Sequence, residues 1–339
     1  MRAIGYREPS PDLDHLKAFD IPRPTPVGRD LLVEVRAVSV NPVDYKVASG
    51  GGPGGAASEP NGITVVGYDA AGVVVEAGRE ARLFKPGDEV FYAGSVGRQG
   101  ANMEFHLVDE RIVGRKPRTL DFAAAAALPL TSITAWEAMF DRLDVLKPVP
   151  GAARAILILG GAGGVGSIAI QLARQLTDLA VVATASRPET VQWARAMGAH
   201  HVVDHKRPLT PQIAALGLGS PAFIFATAPM GGLISGLAEL IAPQGRVALI
   251  NGEAADLFVF RPKSVSIHHE LMFTRPLFQT ADMEAQHTLL NEVADLVDAG
   301  RIRSTMRENY GRIDAANLMR AMTRLKTGSA IGKIVLAGF

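Results

Sequence analysis

The sequence predicts an α/β protein of two domains, one rich in short strands and one built on a doubly wound parallel sheet. Three observations carry that prediction. At 339 residues the chain is longer than one hydrophobic core usually supports. Between residues 155 and 251, apolar strand candidates alternate strictly with helical patterns, as in a parallel sheet covered on both faces. The stretch ILILGGAGGVGSIAIQLARQL, residues 156–176, joins an apolar run to a helical pattern through a block of glycines.

The strand-rich part comes first. LLVEVRAVSV (31–40), ITVVGYDAAGVVVEAG (63–78) and DEVFYAG (88–94) are short apolar or alternating runs separated by Gly and Pro. In the turn KPGD, Pro86 fixes φ at the first central position and Gly87 supplies positive φ at the second, which predicts a type II turn. GGGPGGAASEPNG, residues 50–62, is too rich in glycine for strand or helix and reads as a mobile loop. After Pro117 the pattern DFAAAAALPLTSITAWEAMFDRL predicts a helix with Asp121 as N-cap, burying a face that carries Trp136, Met139 and Phe140.

The strands of the parallel sheet are AILILG (155–160), AVVATAS (180–186), HHVVD (200–204), AFIFAT (222–227) and RVALIN (246–251). Beyond Arg261 the rhythm breaks. Two amphipathic helices near 282–299 and 314–326 and a last strand GKIVLAGF are too few elements for a third domain, so the tail is expected to pack back onto an earlier one.

Composition narrows the function classes. Thirty-five Lys and Arg against 34 Asp and Glu leave a net charge of +1, with no dense basic run, so neither a nucleic-acid nor a membrane surface is expected. The absence of cysteine excludes disulfides, thiolate catalysis and thiolate-held zinc. No apolar run reaches membrane-spanning length and MRAIGYREPSPD has no cleavable apolar core, so the expectation is a soluble cytoplasmic protein.

Gly161, Gly163 and Gly166 fit GxGxxG after a strand and at the opening of a helix. The first is expected to make the tight turn, the second to admit a pyrophosphate to the backbone N–H groups, and the third to let helix and strand pack closely. No GK[ST] follows, which excludes a P-loop. A cofactor with a free ribose 2′-hydroxyl calls for an acidic residue at the end of the second strand; here Ser186 and Arg187 stand there, a hydroxyl and a cation suited to a 2′-phosphate. Glu189, three residues after Ser186, has the spacing of a capping box. The expected cofactor is NADPH.

VNPVDYKVASG, VGYDAAGVVVEAG, KPGDEV, ALPLTSITAWEAM, GGAGGVGS, ATASRPE and the terminal GKIVL, in that order, resemble the medium-chain dehydrogenase/reductase superfamily. Within it the chain is similar to zinc-independent quinone oxidoreductases and zinc-type alcohol dehydrogenase-like proteins. The resemblance implies a GroES-like catalytic domain at 1–122, a Rossmann NADP(H)-binding domain at 123–262 and a return to the catalytic domain at 263–339. It also sets Asn41, Tyr68 and Leu130 on the positions that hold catalytic zinc in metal-dependent relatives. An amide, a phenol and an aliphatic group are not the thiolate, imidazole or carboxylate that zinc prefers. His268 and His269, adjacent on a strand, would point to opposite faces.

Without zinc, hydride transfer to a saturated carbonyl puts a full alkoxide charge on oxygen, whereas a quinone or an α,β-unsaturated carbonyl spreads it by conjugation. The expectation is therefore NADPH-dependent reduction of quinones or activated C=C bonds. Reduction of aldehydes and ketones is the alternative enzyme, and a non-catalytic NADPH-binding protein resembling zeta-crystallin the alternative class.

The resemblance and residue chemistry also suggest roles. Asn41 would lie by the nicotinamide and substrate oxygen, Tyr68 would donate to a developing oxyanion, and Tyr45 follows in the same motif; Lys46 reads as a solvated charge, and Asp44 and Asp69 as braces. For Tyr68 a buried ring with a satisfied hydroxyl is the competing reading. Gly161, Ala162, Gly163, Gly164 and Val165 would line the pyrophosphate, with Ser186, Arg187 and His205 at the adenosine phosphate end. Thr131, Asn251, Phe273 and Thr274 would approach the nicotinamide. Lys333 would serve the cofactor side or, alternatively, be an exposed edge charge. Family habit implies a homodimer.

Overall fold

The structure, a computed structural model, describes residues 1–52, 62–252 and 256–339. Most of the expected 50–62 loop lies outside these residues. The chain divides into two compact units, Met1–Ile133 with Phe273–Phe339, and Thr134–Met272. Both boundaries fall about ten residues beyond the 122/123 and 262/263 divisions expected from sequence. The second shift has a plain cause, because a parallel strand at Ser266–His269 still belongs to the second unit's sheet.

The first unit opens with β1 (Arg2–Tyr6), β2 (Lys17–Asp20), β3 (Asp30–Ser39), α1 (Pro42–Ala48), β4 (Thr64–Val65), β5 (Ala70–Ala77), β6 (Glu89–Tyr92), β7 (Phe105–Asp109) and β8 (Val113–Arg115). β1, β2 and β4 form a small antiparallel sheet. β3 is the spine of a larger one. Its one edge pairs with β5, while the other is shared, Asp30–Glu34 pairing with β7 and Ala37–Ser39 with the last strand of the chain. Gly87 sits at φ 96° and the Asp88 N–H donates to the Lys85 carbonyl at 3.1 Å, the turn that KPGD predicts.

The helix expected from Asp121 to Leu143 is interrupted. Asp121 caps as expected, its carboxylate accepting from the Ala124 N–H at 2.7 Å. The first piece, α2 (Phe122–Ala126), stops ahead of Pro129, which has no N–H to continue the ladder and opens α3 (Pro129–Trp136) instead. A π-helical stretch, Glu137–Arg142, follows.

The second unit continues with β9 (Ala153–Leu159), α4 (Gly164–Leu176), β10 (Ala180–Thr184), α5 (Pro188–Ala196), β11 (His201–Val203), α6 (Leu209–Ala214), β12 (Pro221–Ala226), α7 (Ile234–Leu240), β13 (Arg246–Leu249) and β14 (Ser266–His269). Its strands are all parallel, in the order β11-β10-β9-β12-β13-β14. Ala155 to Leu159 are buried without alternation, because the sheet is covered on both faces. Strand order reverses between β9 and β12, and at such a switch point doubly wound sheets bind ligands beyond the carboxyl ends of their strands.

The return segment adds α8 (Thr274–Phe278), α9 (Ala285–Asp298), β15 (Met306–Asn309), α10 (Ala315–Lys326) and β16 (Lys333–Ala337) to the first unit. In β16, Val335 lies opposite Ser39 in antiparallel register, so the strand's first residue, Lys333, runs beside the chain that leaves β3. Among the described residues no helix is long and apolar enough to cross a membrane.

Candidate active site

In the second unit the glycine block follows β9 at the carboxyl edge of the sheet. The tight turn falls on Gly160, at φ 74°, and not on Gly161 as the motif suggests. Gly160 donates its N–H to the Thr184 hydroxyl at 3.0 Å, and a Cβ on it would meet Ala228 and Thr227 at 3.0 Å, so the turns after β9 and β12 abut at the switch point. Gly161 serves packing, since its Cβ would stand 2.7 Å from that of Ala183 on β10. At Gly166 a Cβ would stand 2.2 Å from the Gly160 carbonyl oxygen, which is the close helix-to-strand approach expected there.

Gly163 differs from both. A Cβ there would find only the Gly160 oxygen, at an ordinary 3.4 Å. Gly163 is also the N-cap of α4, with no side chain capping the helix, so the opening N–H groups of a thirteen-residue helix are left to a ligand or water. This geometry fits a dinucleotide pyrophosphate over Gly161, Ala162, Gly163, Gly164 and Val165.

Ser186 and Arg187 follow β10, His205 follows β11 and Asn251 follows β13, all at the same sheet edge. Arg187, not Ser186, is the N-cap of α5, and its N–H donates to the Thr190 hydroxyl at 3.1 Å. The capping box assigned to Glu189 therefore belongs to Thr190. Glu189 instead pairs with the Arg187 guanidinium at 3.2 Å. His205 Nδ1 and Asn251 Nδ2 are buried atoms without hydrogen-bond partners among the described residues, and buried polar atoms are rarely left so.

The first unit holds a different centre. Asn41, Asp69 and Lys333 are each 3 % exposed or less. The Lys333 ammonium donates to the Asn41 side-chain oxygen at 2.6 Å, to the Val40 carbonyl at 2.8 Å and meets Asp69 Oδ2 at 3.1 Å. The Asn41 amide nitrogen donates to Asp69 Oδ2 at 2.8 Å and to the Tyr68 carbonyl at 3.0 Å. Asp69 Oδ2 also accepts from the Ser39 hydroxyl at 2.9 Å, and Oδ1 from the Leu130 N–H at 2.7 Å.

Burial pushes Asp69 up and Lys333 down, and each opposes the other's shift. The bonding decides their state. Every partner of the carboxylate is a donor and every partner of the ammonium an acceptor, so the pair is held ionised.

Asp44 stands behind this centre, its Oδ2 accepting from the Asn41 N–H at 2.6 Å while Oδ1 makes no hydrogen bond among the described residues. Burial pushes its carboxyl up to about 7, against the pull of the Asn41 N–H and Lys333. The Tyr68 ring is buried edge-on to Phe273, centroids 5.4 Å apart. Burial, then the Asp44 charge, raises its phenol above the ordinary value, which keeps it a neutral donor. Among the described residues its hydroxyl has no hydrogen-bond partner.

Comparisons with known proteins agree with this architecture. Residues 28–118 match the family described as alcohol dehydrogenase GroES-like domain, and residues 164–292 the one described as zinc-binding dehydrogenase. The chain is 37 % identical over 99 % of both chains to the zinc-type alcohol dehydrogenase-like protein SAS2087 of Staphylococcus aureus MSSA476. The chain belongs to the medium-chain dehydrogenase/reductase superfamily. A Rhizobium etli CFN 42 crystal structure, provisionally described as a zinc-dependent alcohol dehydrogenase, is 60 % identical at TM-score 0.96, covering 100 % of this chain and 98 % of that one. The Escherichia coli quinone oxidoreductase complexed with NADPH, 21 % identical, shares the fold at TM-score 0.80 over 99 % of this chain and 100 % of that one.

Zinc does not suit the residues of this superfamily member. The three ligand positions carry an amide turned onto an ammonium and a carboxylate, a phenol, and an aliphatic Leu130. That donor set does not make a zinc site. Among the described residues no group of three or more His, Cys, Asp or Glu side chains is placed to hold a metal ion.

The other predicted residues divide between the units. Thr131, Phe273, Thr274 and Lys333 belong to the first; the glycines, Ser186, Arg187, His205 and Asn251 to the second. The Thr131 hydroxyl donates to the Leu128 carbonyl at 3.1 Å. Tyr45 is half-buried and its phenol raised by burial, while Lys46 is exposed. Lys333, far from being an exposed edge charge, is buried. Sequence reasoning missed Ser39 and Thr184. The hydroxyl ending β3 and the threonine ending β10 are unremarkable in strands, and only pairing shows what each one holds.

Proposed function

We propose that this oxidoreductase transfers hydride from NADPH to a quinone or an α,β-unsaturated carbonyl, without catalytic zinc. The observation that carries the proposal is the set of groups at the metal-ligand positions, Asn41, Tyr68 and Leu130, with a buried ammonium against the first. An acceptor that delocalises the incoming electron pair needs less Lewis acidity than a saturated carbonyl. Tyr68, neutral and with no hydrogen-bond partner for its hydroxyl among the described residues, is the donor available to the developing oxyanion, and Asn41 holds its main chain. Tyr45 completes the motif from α1. NADPH, which supplies the hydride, is held through the Gly161–Val165 turn, with Arg187 and Ser186 receiving the 2′-phosphate and Asn251, Thr131, Phe273 and Thr274 on the nicotinamide side. The protein works as a homodimer.

A second reading draws on the name of the Staphylococcus aureus relative, alcohol dehydrogenase-like reduction of aldehydes and ketones. NADPH oxidation followed at 340 nm against quinones, enones and alkanals, with NADH and chelator controls, separates the two. Turnover confined to alkanals, abolished by chelation and restored by zinc, sinks the proposal. NADPH binding without turnover of any acceptor favours the non-catalytic class.

A further inference from the structure

We infer that the buried ammonium of Lys333 is the resident cation of the Asn41 centre and acts as a positioning residue for the reaction, fixing Asn41 and the Tyr68 main chain, in place of both a bound metal and a contact with the dinucleotide. The bonding leaves it little else to do. An ammonium has three protons, and the Asn41 oxygen at 2.6 Å, the Val40 carbonyl at 2.8 Å and Asp69 Oδ2 at 3.1 Å take all three. At 3 % exposure no proton remains to reach a pyrophosphate.

The ammonium also determines how the Asn41 amide lies. With its oxygen held on Lys333, the amide nitrogen must face Asp69 and the Tyr68 carbonyl, and it donates to both. Taking away the cation lets that amide turn over and frees the chain that carries the phenol. A divalent ion entering here would have to expel an ammonium already paired with Asp69, and would gain an amide, a phenol and, behind Asn41, an Asp44 carboxyl whose Oδ2 is already taken by the Asn41 N–H. The charge is permanent and fixed in a dry site, the condition under which a positive pole favours a negative transition state.

The kinetic part of this inference rests on the proposed reaction, whereas its chemical and binding parts do not. Reductive methylation of the native chain, read by peptide mass spectrometry with and without NADPH, should leave Lys333 unmodified in both while exposed Lys46 reacts. A Lys333 that is methylated in the apo-protein and protected by NADPH would overturn the inference. For Lys333→Met and Lys333→Arg, NADPH affinity by fluorescence titration should stay within about threefold of the parent while kcat for NADPH oxidation by a quinone falls about 10- to 100-fold. Weakened NADPH binding with kcat retained would instead restore the cofactor role. Should Lys333→Met not fold, Lys333→Arg keeps the charge and the methylation result needs no variant. After dialysis against Zn²⁺, metal analysis of the parent protein should find far less than one ion per chain. Stoichiometric zinc that disappears in Asn41→Ala would overturn the inference. If the parent protein turns over no acceptor, the proposed reaction fails, and methylation and affinity still decide the place of Lys333.

Discussion

Substituting Asp69 by Asn leaves the Lys333 ammonium buried without its counter-charge. The carboxylate is surrounded by donors, from Ser39, Asn41, Leu130 and Lys333, and none of the three side chains is more than 3 % exposed, so solvent does not compensate for its loss. Breaking one partner of a buried ion pair costs about 3–5 kcal/mol. For a unit of about 200 residues each kcal/mol moves Tm by about 2–4 °C, so the Asp69→Asn transition should fall by about 6–20 °C. Lys333→Met should cost a similar amount, because it leaves the carboxylate unpaired. The Asp69→Asn/Lys333→Met double variant removes both charges, so the second substitution should cost much less than it does alone. A double-mutant cycle by calorimetry or urea titration is then expected to give a coupling of at least about 2 kcal/mol. Coupling below about 0.5 kcal/mol, the range of independent sites, would refute the claim that the two groups form an ionised pair.

Three further outcomes follow from the geometry. Gly163→Ala should leave Tm within about 2 °C of the parent and weaken NADPH about tenfold, whereas Gly166→Ala should lose about 1–3 kcal/mol of stability by forcing a Cβ against the Gly160 oxygen; thermal melts beside fluorescence titration test both. Arg187→Ala should weaken NADPH about 10- to 100-fold, the worth of a charged hydrogen bond, and leave NADH nearly unchanged; equal losses for the two cofactors would remove Arg187 from the 2′-phosphate. Asp44 is held near 7 in the folded chain and ionises lower in the unfolded one, so the native state binds the extra proton between about pH 4 and 7. Its contribution is therefore fully present below about pH 4 and lost as pH rises through about 7. Asp44→Asn keeps an acceptor for the Asn41 N–H, so it should flatten that fall and be relatively more stable at pH 8; parallel Tm–pH curves would contradict the shift.

The parallel sheet was legible because five of its six strands carry apolar runs joined by helical patterns, a local signal that covers both faces; β14, SIHH, carries no such run and extends the sheet beyond the predicted strands. The glycine block was legible for the same reason, although the tight turn moved to Gly160. That shift could not be read from spacing, since Gly160 and Gly161 are both glycine and only the backbone distinguishes them. β1, β2, β7 and β8 passed unnoticed; they are three to five residues long, too short to show a periodicity of their own, and exist through their pairing with other strands, as β7 does with β3. The break in the helix after Asp121 was announced by Pro129, yet an alanine-rich run with good helical periodicity concealed it.

The candidate centre was legible in its members and not in its bonding. Asn41, Tyr68, Asp69 and Lys333 were all singled out, but an isolated GKIV reads equally well as a strand with an exposed first residue. Burial of Lys333 comes from register, Val335 opposite Ser39, between segments nearly 300 residues apart. The shared edge of β3 makes that register possible, because β7 covers only Asp30–Glu34 and leaves Ala37–Ser39 to β16. With β16 in that place, a side chain two residues before Val335 has no solvent to reach and must find acceptors inside. Val40, Asn41 and Asp69 provide them. The charge of this centre is thus set by sheet pairing, and a substitution that shifts β16 by one residue would turn Lys333 to the opposite face and strand Asp69 without a cation.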